Sequence, residues 1–193
     1  LISATGTGKT YASAFAMREM GFQRVLFLVH RNQIAKQAIK SYRKVFGGSV
    51  SMGMVTGKYQ EYDKDYIFAT IQTLSKEETL QRYSRQRFDA IVIDEAQYAI
   101  KRDPEFVKSI LKLKMKRLYP GPVMIILASS SIVWATQDAK DAFGDGFRRI
   151  DVLHKVEDLN FLEVVRTFPA LSVSDCIRIY GTIGGVPGFM EAW

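Results

Sequence analysis

The 193-residue chain has very little with which to staple itself together. It holds one cysteine, Cys176, so no internal disulfide can form and a cystine-held secreted scaffold is excluded. That scarcity fits a reducing, cytoplasmic setting. The two histidines, His30 and His154, have no metal-ligand spacing to each other or to Cys176, which removes the common zinc modules. No apolar run approaches the roughly 18 residues a membrane-spanning helix needs, so no membrane partner is expected. The longest, Val123–Ala128, has the length of a strand. No leading Met and no signal-peptide pattern are present. The sequence opens at Leu1-Ile2 immediately before a glycine-rich loop, and so reads as a fragment cut inside a domain.

What is there is ordinary for a globular protein: 47% hydrophobic and 24% charged residues. Disorder and fibrous classes are therefore excluded. The formal net charge is +7 and the pI about 9.5. A basic surface suits an acidic partner such as nucleic acid, through phosphate neutralisation and counterion release. Many soluble proteins are mildly basic, so charge alone does not decide this.

Short apolar runs alternate with helical patterns, the signature of an α/β fold with a mostly parallel, doubly wound sheet. Strands are expected at the stub Leu1-Ile2, at Val25–Val29, Ser49–Val55, Tyr66–Ala69, Ala90–Ile93 and Val123–Ala128, with a last one at Arg149–Leu153. Helices are expected over 9–20, 32–46, Asp103–Leu118 and Ile132–Phe143. Shorter ones follow at Leu159–Phe168, Ser174–Tyr180 and Val186–Trp193. Continuous apolar strands such as V-L-F-L-V suit burial on both faces.

Ser3–Thr10 (S-A-T-G-T-G-K-T) lies between a strand stub and a helix, the setting of a phosphate-binding loop. Gly6 and Gly8 let the backbone approach phosphate closely, and the N–H groups of residues 5–10 can point at its oxygens. Thr5, Gly6, Thr7, Gly8, Lys9 and Thr10 are thus the candidate ATP-binding set. Lys9 brings a cation to the β- and γ-phosphates, and Thr10 a hydroxyl to Mg. The first position of the usual motif is Ser3 rather than Gly. Asp94-Glu95 ends the A-I-V-I strand, where carboxylates face the ligand crevice of an open sheet. Asp94 is the second candidate Mg ligand, and Glu95 the general base that polarises the attacking water. Lys9, Asp94 and Glu95 form the candidate catalytic set.

Four blocks in register carry a resemblance. A-T-G-T-G-K-T (Ala4–Thr10), L-V-H-R-N-Q-I-A-K-Q (Leu28–Gln37), A-T-I-Q-T-L (Ala69–Leu74) and F-D-A-I-V-I-D-E-A-Q (Phe88–Gln97) are similar to helicase motifs I, Ia, Ic and II. Residues 1–98 thus resemble the first RecA-like domain of superfamily 2 helicases of the restriction-type DEAD/DEAH group. The resemblance implies ATP-driven work on nucleic acid, DNA favoured, with Arg31, Thr70, Gln72 and Thr73 along the strand's backbone. Read without it, these four are equally a helix N-terminus and a strand-end cap. Gln97 stands where that group has His, a residue that couples the nucleotide site to a second domain.

Residues 99–193 look different. E-D-L-N-F-L-E-V-V (Glu157–Val165) and Y-G-T-I-G-G-V-P (Tyr180–Pro187) resemble the archaeal-type ATPase family, AAA-related signalling P-loop ATPases, at the junction to a helical lid. The chain thus reads as two P-loop families joined near 91–97, as a recombined, misassembled or designed chain would. The expected organisation is a RecA-like P-loop NTPase core over 1–153 and a partial helical lid over 154–193. In the archaeal-type reading one of Ser129–Ser131 senses the γ-phosphate; otherwise these serines cap a helix. The lysine-rich 103–118 segment is either a nucleic-acid face or a solvated one, and Arg148-Arg149 either a trans-acting finger or surface. Trp134, Phe143 and Phe147 read as core. Full activity implies a second RecA-like domain or a neighbouring subunit, so unwinding by this chain alone is not expected. Competing readings are a signalling switch controlling a protein partner and a catalytically dead remnant.

Overall fold

A computed structural model describes residues 8–84, 87–102, 105, 123–131 and 133–186. The stub Leu1-Ile2, phosphate-loop residues Ser3–Thr7, nearly all of the expected helix Asp103–Leu118, and residues 187–193 lie outside the described residues.

Six strands make one sheet. They are β1 (Val25–Val29), β2 (Met52–Thr56), β3 (Tyr59–Gln60), β4 (Tyr66–Thr70), β5 (Ala90–Ile93) and β6 (Met124–Leu127), in the order β3-β2-β4-β1-β5-β6. All described pairings are parallel except β2 with β3. β1 is central, paired to β4 from Val25↔Tyr66 to Val29↔Thr70 and to β5 from Val25↔Ala90 to Leu28↔Ile93.

Strand periodicity sends alternate residues of β1 to opposite faces. Val25, Phe27 and Val29 pack with Ala14 and Met17 of α1 (Lys9–Glu19) and with Ala35, Ala38, Ile39 and Tyr42 of α2 (Asn32–Phe46). Leu26 and Leu28 pack on the other face with Ile67, Ile93, Ala96, Ala99, Ile100, Ala139 and Phe143. Helices on both faces explain why β1, β2 and β4 are buried along their whole length. Burying each large side chain such as Phe27 or Phe68 contributes about 1.5–3 kcal/mol. α2 stops at Gly47, whose φ of 58° suits a residue without a Cβ. Tyr42 ties the two helices of its face together, its hydroxyl donating to Ser13 Oγ at 2.9 Å while Ser13 Oγ donates to the Thr10 carbonyl at 2.8 Å.

Short helices α3 (Ile71–Leu74), α4 (Glu77–Leu80) and α5 (Ala96–Arg102) follow β4 and β5. After β6, a π-helical turn over Trp134–Asp138 leads into α6 (Ala139–Phe143), where one α-helix was expected. Phe143 is buried, and Trp134 and Phe147 pack against the same core as read from sequence. The strand expected at Arg149–Leu153 does not form. Arg149 closes a 3-10 turn (Gly144–Arg149), and Val152 and Leu153 are 75% and 54% exposed, with no strand beside them among the described residues. A short alternating run without a neighbouring ladder has no sheet to join.

The last helices, α7 (Phe161–Thr167) and α8 (Val173–Ile183), bury Val164, Cys176 and Ile179 against each other. Cys176 is a small core residue here. Asn160 and Glu163 close α7 with a reciprocal capping box, and Ser172 caps α8. Gly185 lies so close to Leu159 that an added Cβ would sit 1.7 Å from its carbonyl oxygen, which explains the glycine. No helix among the described residues is long and apolar enough to cross a membrane.

Candidate nucleotide and nucleic-acid site

Parallel strands put all their C-terminal ends on one edge, where β1, β4 and β5 lead into Arg31, Thr70 and Asp94-Glu95. Gly8 precedes α1 with φ 81° and ψ 18°, a left-handed conformation that glycine adopts without strain. Lys9 and Thr10 then occupy the first turn of α1, with Lys9 buried. Thr5, Gly6 and Thr7 lie outside the described residues. Asp94 leaves the end of β5 buried, its N–H donating to the Leu28 carbonyl at 2.9 Å. Burial and the adjacent Glu95 push its carboxyl up to about 6. The Lys9 ammonium and the Glu95 N–H, 3.1 Å from Asp94 Oδ1, act in the opposite direction. Lys9 and Asp94 thus share one electrostatic neighbourhood.

Glu95 carries the positive φ, 51°, recorded for a non-glycine among the described residues. Its Oε2 accepts from Gln97 Nε2, from Ser130 Oγ at 2.6 Å and from Ser130 N at 3.3 Å. Gln97 Nε2 also lies 3.3 Å from Ser130 Oγ. The turn is stitched to the end of β6 by Ala96 N donating to the Ala128 carbonyl at 2.8 Å. The three serines separate in role. Ser129 Oγ accepts from Ser131 N, and Ser131 Oγ accepts from Trp134 N as a local cap. Ser130 alone of the three reaches Glu95. Sequence reasoning marked Gln97 as a departure and the serines as a group, but did not join them to Glu95.

The nucleic-acid candidates line the neighbouring strand ends. Arg31 is exposed at the N-cap of α2, two residues beyond Val29, which is in register with Thr70. Thr70 is buried and its hydroxyl donates to Thr73 Oγ1 at 2.9 Å, while Gln72 is exposed. Thr70 and Thr73 therefore satisfy each other as a cap, and Arg31 and Gln72 are the accessible members. Between this group and the acidic pair sits His30, its ring 5.0 Å from that of Tyr98. Burial, helped by the Arg31 charge and opposed by Glu95, holds its imidazole below the usual range, hence neutral at pH 7. His30 Nδ1, Asn32 Oδ1 and Gln97 Oε1 are buried without a hydrogen-bond partner among the described residues.

The donor set fits magnesium. A threonine hydroxyl and a carboxylate are hard oxygen ligands, and Mg binds through few protein groups while keeping several waters. Among the described residues no group of three or more His, Cys, Asp and Glu gathers as a softer-metal site. The raised Asp94 carboxyl is a buried acid beside a second acid, an environment that a divalent cation complements.

Comparison with known proteins agrees with this architecture. The family described as Type III restriction enzyme, res subunit, matches residues 1–119, running through 91–97, where a join between two families was expected. The chain is 31% identical over 140 residues to the type I restriction enzyme EcoKI endonuclease subunit of Escherichia coli (strain K12), covering 66% of this chain and 12% of that protein. It is 32% identical over 108 residues to the putative ATP-dependent helicase IRC3 of Saccharomyces cerevisiae, covering 50% of this chain and 15% of that protein. The chain thus spans well under a quarter of either relative. Among solved structures, S. cerevisiae Dbp5 bound to RNA and ADP BeF3 superposes with a TM-score of 0.59 at 18% identity, over 84% of this chain and 42% of that one. A hypothetical ATP-dependent RNA helicase from Sulfolobus tokodaii gives 0.59 at 16% identity, over 92% and 62%. At such identities these two establish the fold alone, a RecA-like domain.

Proposed function

Since the chain belongs to the family described as Type III restriction enzyme, res subunit, we propose that it is the ATP-binding, Mg-dependent ATP-hydrolysing half of a motor that acts on nucleic acid, DNA in preference. One observation supports the reading: the Lys9 ammonium acts on the Asp94 carboxyl at the end of β5, beside Glu95, and the ends of the neighbouring strands β1 and β4 lead into Arg31 and Gln72. The restriction-enzyme relative supports DNA over RNA.

In this reading Lys9 holds the β- and γ-phosphates and neutralises charge as the bond to the leaving oxygen stretches. Thr10 and Asp94 hold Mg, which when bound screens the phosphate oxygens. Glu95 takes a proton from the water that attacks the γ-phosphorus. Arg31 and Gln72 contact the nucleic-acid backbone without reading sequence. A second RecA-like domain or a neighbouring subunit would complete the cleft, so strand separation by this chain alone is not expected. We further place a domain boundary near residue 153, supported by the separate small core of α7 and α8.

The test is ATP hydrolysis by the chain with Mg, measured alone and with single- and double-stranded DNA. Stimulation by DNA supports the motor reading. Hydrolysis indifferent to DNA would reassign the chain to a nucleotide switch, and no ATP-dependent rise in melting temperature would remove the nucleotide claim.

A further inference from the structure

The setting of Glu95 is more constrained than a general base at a strand tip requires. A non-glycine residue at positive φ costs on the order of 1–3 kcal/mol and persists where its surroundings over-determine it. Backbone bonds from Glu95 N to Asp94 Oδ1 and from Ala96 N to the Ala128 carbonyl hold the turn, and the side-chain contacts fall on one atom. Glu95 Oε2 receives Gln97 Nε2, Ser130 Oγ and Ser130 N; none of these three goes to Oε1. A carboxylate accepting three donors on one oxygen cannot rotate without breaking them, so the direction of its other oxygen is fixed.

The two partners are suited to this and to little else. Gln97 is buried, and its Nε2 spends its reach on Glu95 and Ser130 Oγ while its Oε1 lacks a partner among the described residues. The reversed amide would set an acceptor against the carboxylate, so the orphaned oxygen is the consequence of serving Glu95. Ser130 differs from its neighbours in the same way. Ser129 and Ser131 satisfy the local turn, and Ser130 turns to another strand.

We propose that Ser130 and Gln97 are positioning residues: they clamp Glu95 by Oε2 and leave Oε1 aimed to accept the proton of the attacking water. This rests on Glu95 being the base, and it assigns to Ser130 a role directed at Glu95 rather than at the γ-phosphate.

The experiment is single-turnover hydrolysis of Mg-ATP by the full chain, with ATP affinity measured separately. Ser130→Ala is expected to slow hydrolysis by about 10-fold or more while ATP affinity changes by less than about 2-fold. Ser130→Thr, which returns the hydroxyl, should recover most of the loss. In a Glu95→Gln background Ser130→Ala should add nothing, because the carboxylate it positions is gone. Losses that multiply in the double variant overturn the positioning role and leave the base intact. So does a Ser130→Ala loss that lies wholly in ATP affinity. A wild-type rate in Glu95→Gln overturns the base assignment itself. A readout free of turnover is the Gln97 side-chain amide in NMR. Its protons should exchange slowly and shift on both Ser130→Ala and Glu95→Gln. Fast exchange like that of an exposed glutamine, unmoved by either substitution, overturns the clamp even if hydrolysis is slow in every variant.

Discussion

Where the parallel strands begin, acidic side chains are at ease. Asp89 Oδ2 accepts from Gln23 N at 3.0 Å and Arg24 N at 2.9 Å, holding the start of β1 to the start of β5. Asp65 accepts from Ser51 Oγ at 2.7 Å, and that bond holds its carboxyl below the usual range. Tyr66 OH donates to the Phe22 carbonyl at 2.7 Å. Where the same strands end, the pattern reverses. Asp94 is buried and pushed up to about 6, Glu95 is held at positive φ, and His30, Asn32 and Gln97 keep polar atoms without a partner among the described residues, against the Tyr83 hydroxyl alone near the other edge, beside Phe88. One sheet therefore has an edge that serves stability and an edge that surrenders some of it. The second is where a ligand would supply the missing partners.

The largest way to break this comparison is Lys9→Ala. Loss of the phosphate-binding cation should weaken ATP binding by on the order of 100-fold or more. Unchanged affinity by calorimetry would mean that the strained edge does not serve nucleotide. Next is Asp94→Asn. Its unfolded carboxyl titrates near 3.8 and its folded one near 6, so the folded state holds the extra proton between these values. Stability of the Mg-free chain should therefore fall as pH rises from about 4 to about 6. Asp94→Asn should remove that slope and stabilise the chain at pH 7 by about 1–3 kcal/mol, in denaturant titrations with chelator present. A variant less stable than the parent at pH 7 would place Asp94 with the settled acids.

Asp89→Ala tests the other edge. Leaving two backbone N–H groups without their acceptor should cost about 1–2 kcal/mol of stability without changing ATP affinity. An effect on ATP binding would blur the division between the edges. The smallest effect is expected for Arg31→Ala. DNA affinity should drop a few-fold and the slope of log affinity against log salt should flatten by about 0.7–0.9, one phosphate contact's worth. An unchanged slope would take Arg31 off the nucleic-acid path.

Much of this was legible in the chain itself, and unevenly so. V-L-F-L-V and A-I-V-I announce buried parallel strands because both faces are covered, and Val25–Val29 and Ala90–Ile93 form where expected. The two-residue β3 was not foreseen, since Tyr59-Gln60 is too short to carry a period. It is held by a turn and by Glu61 Oε2 accepting from Met54 N. Arg149–Leu153 has the alternation of a strand and lacks a neighbour among the described residues, which local pattern cannot reveal. The placement of Lys9, Asp94 and Glu95 followed from spacing and strand polarity. The Ser130–Glu95–Gln97 cluster did not, because it joins the ends of β5 and β6 across 35 residues of chain, and the tertiary register alone brings them together.

The central place of β1 has a consequence for the chain as it is made. Val25 must wait for Tyr66 on one side and for Ala90, 65 residues later, on the other. At about 5–20 residues per second of synthesis, that is an interval of roughly 3–13 s. For the first 41 of those residues, roughly 2–8 s, one of the most apolar segments of the protein is present without either of its flanking strands, and for the rest with β4 alone. A newborn chain of this topology is thus exposed to association before it can close, and factors that shield V-L-F-L-V in those seconds would govern its yield more than any contact in the finished fold.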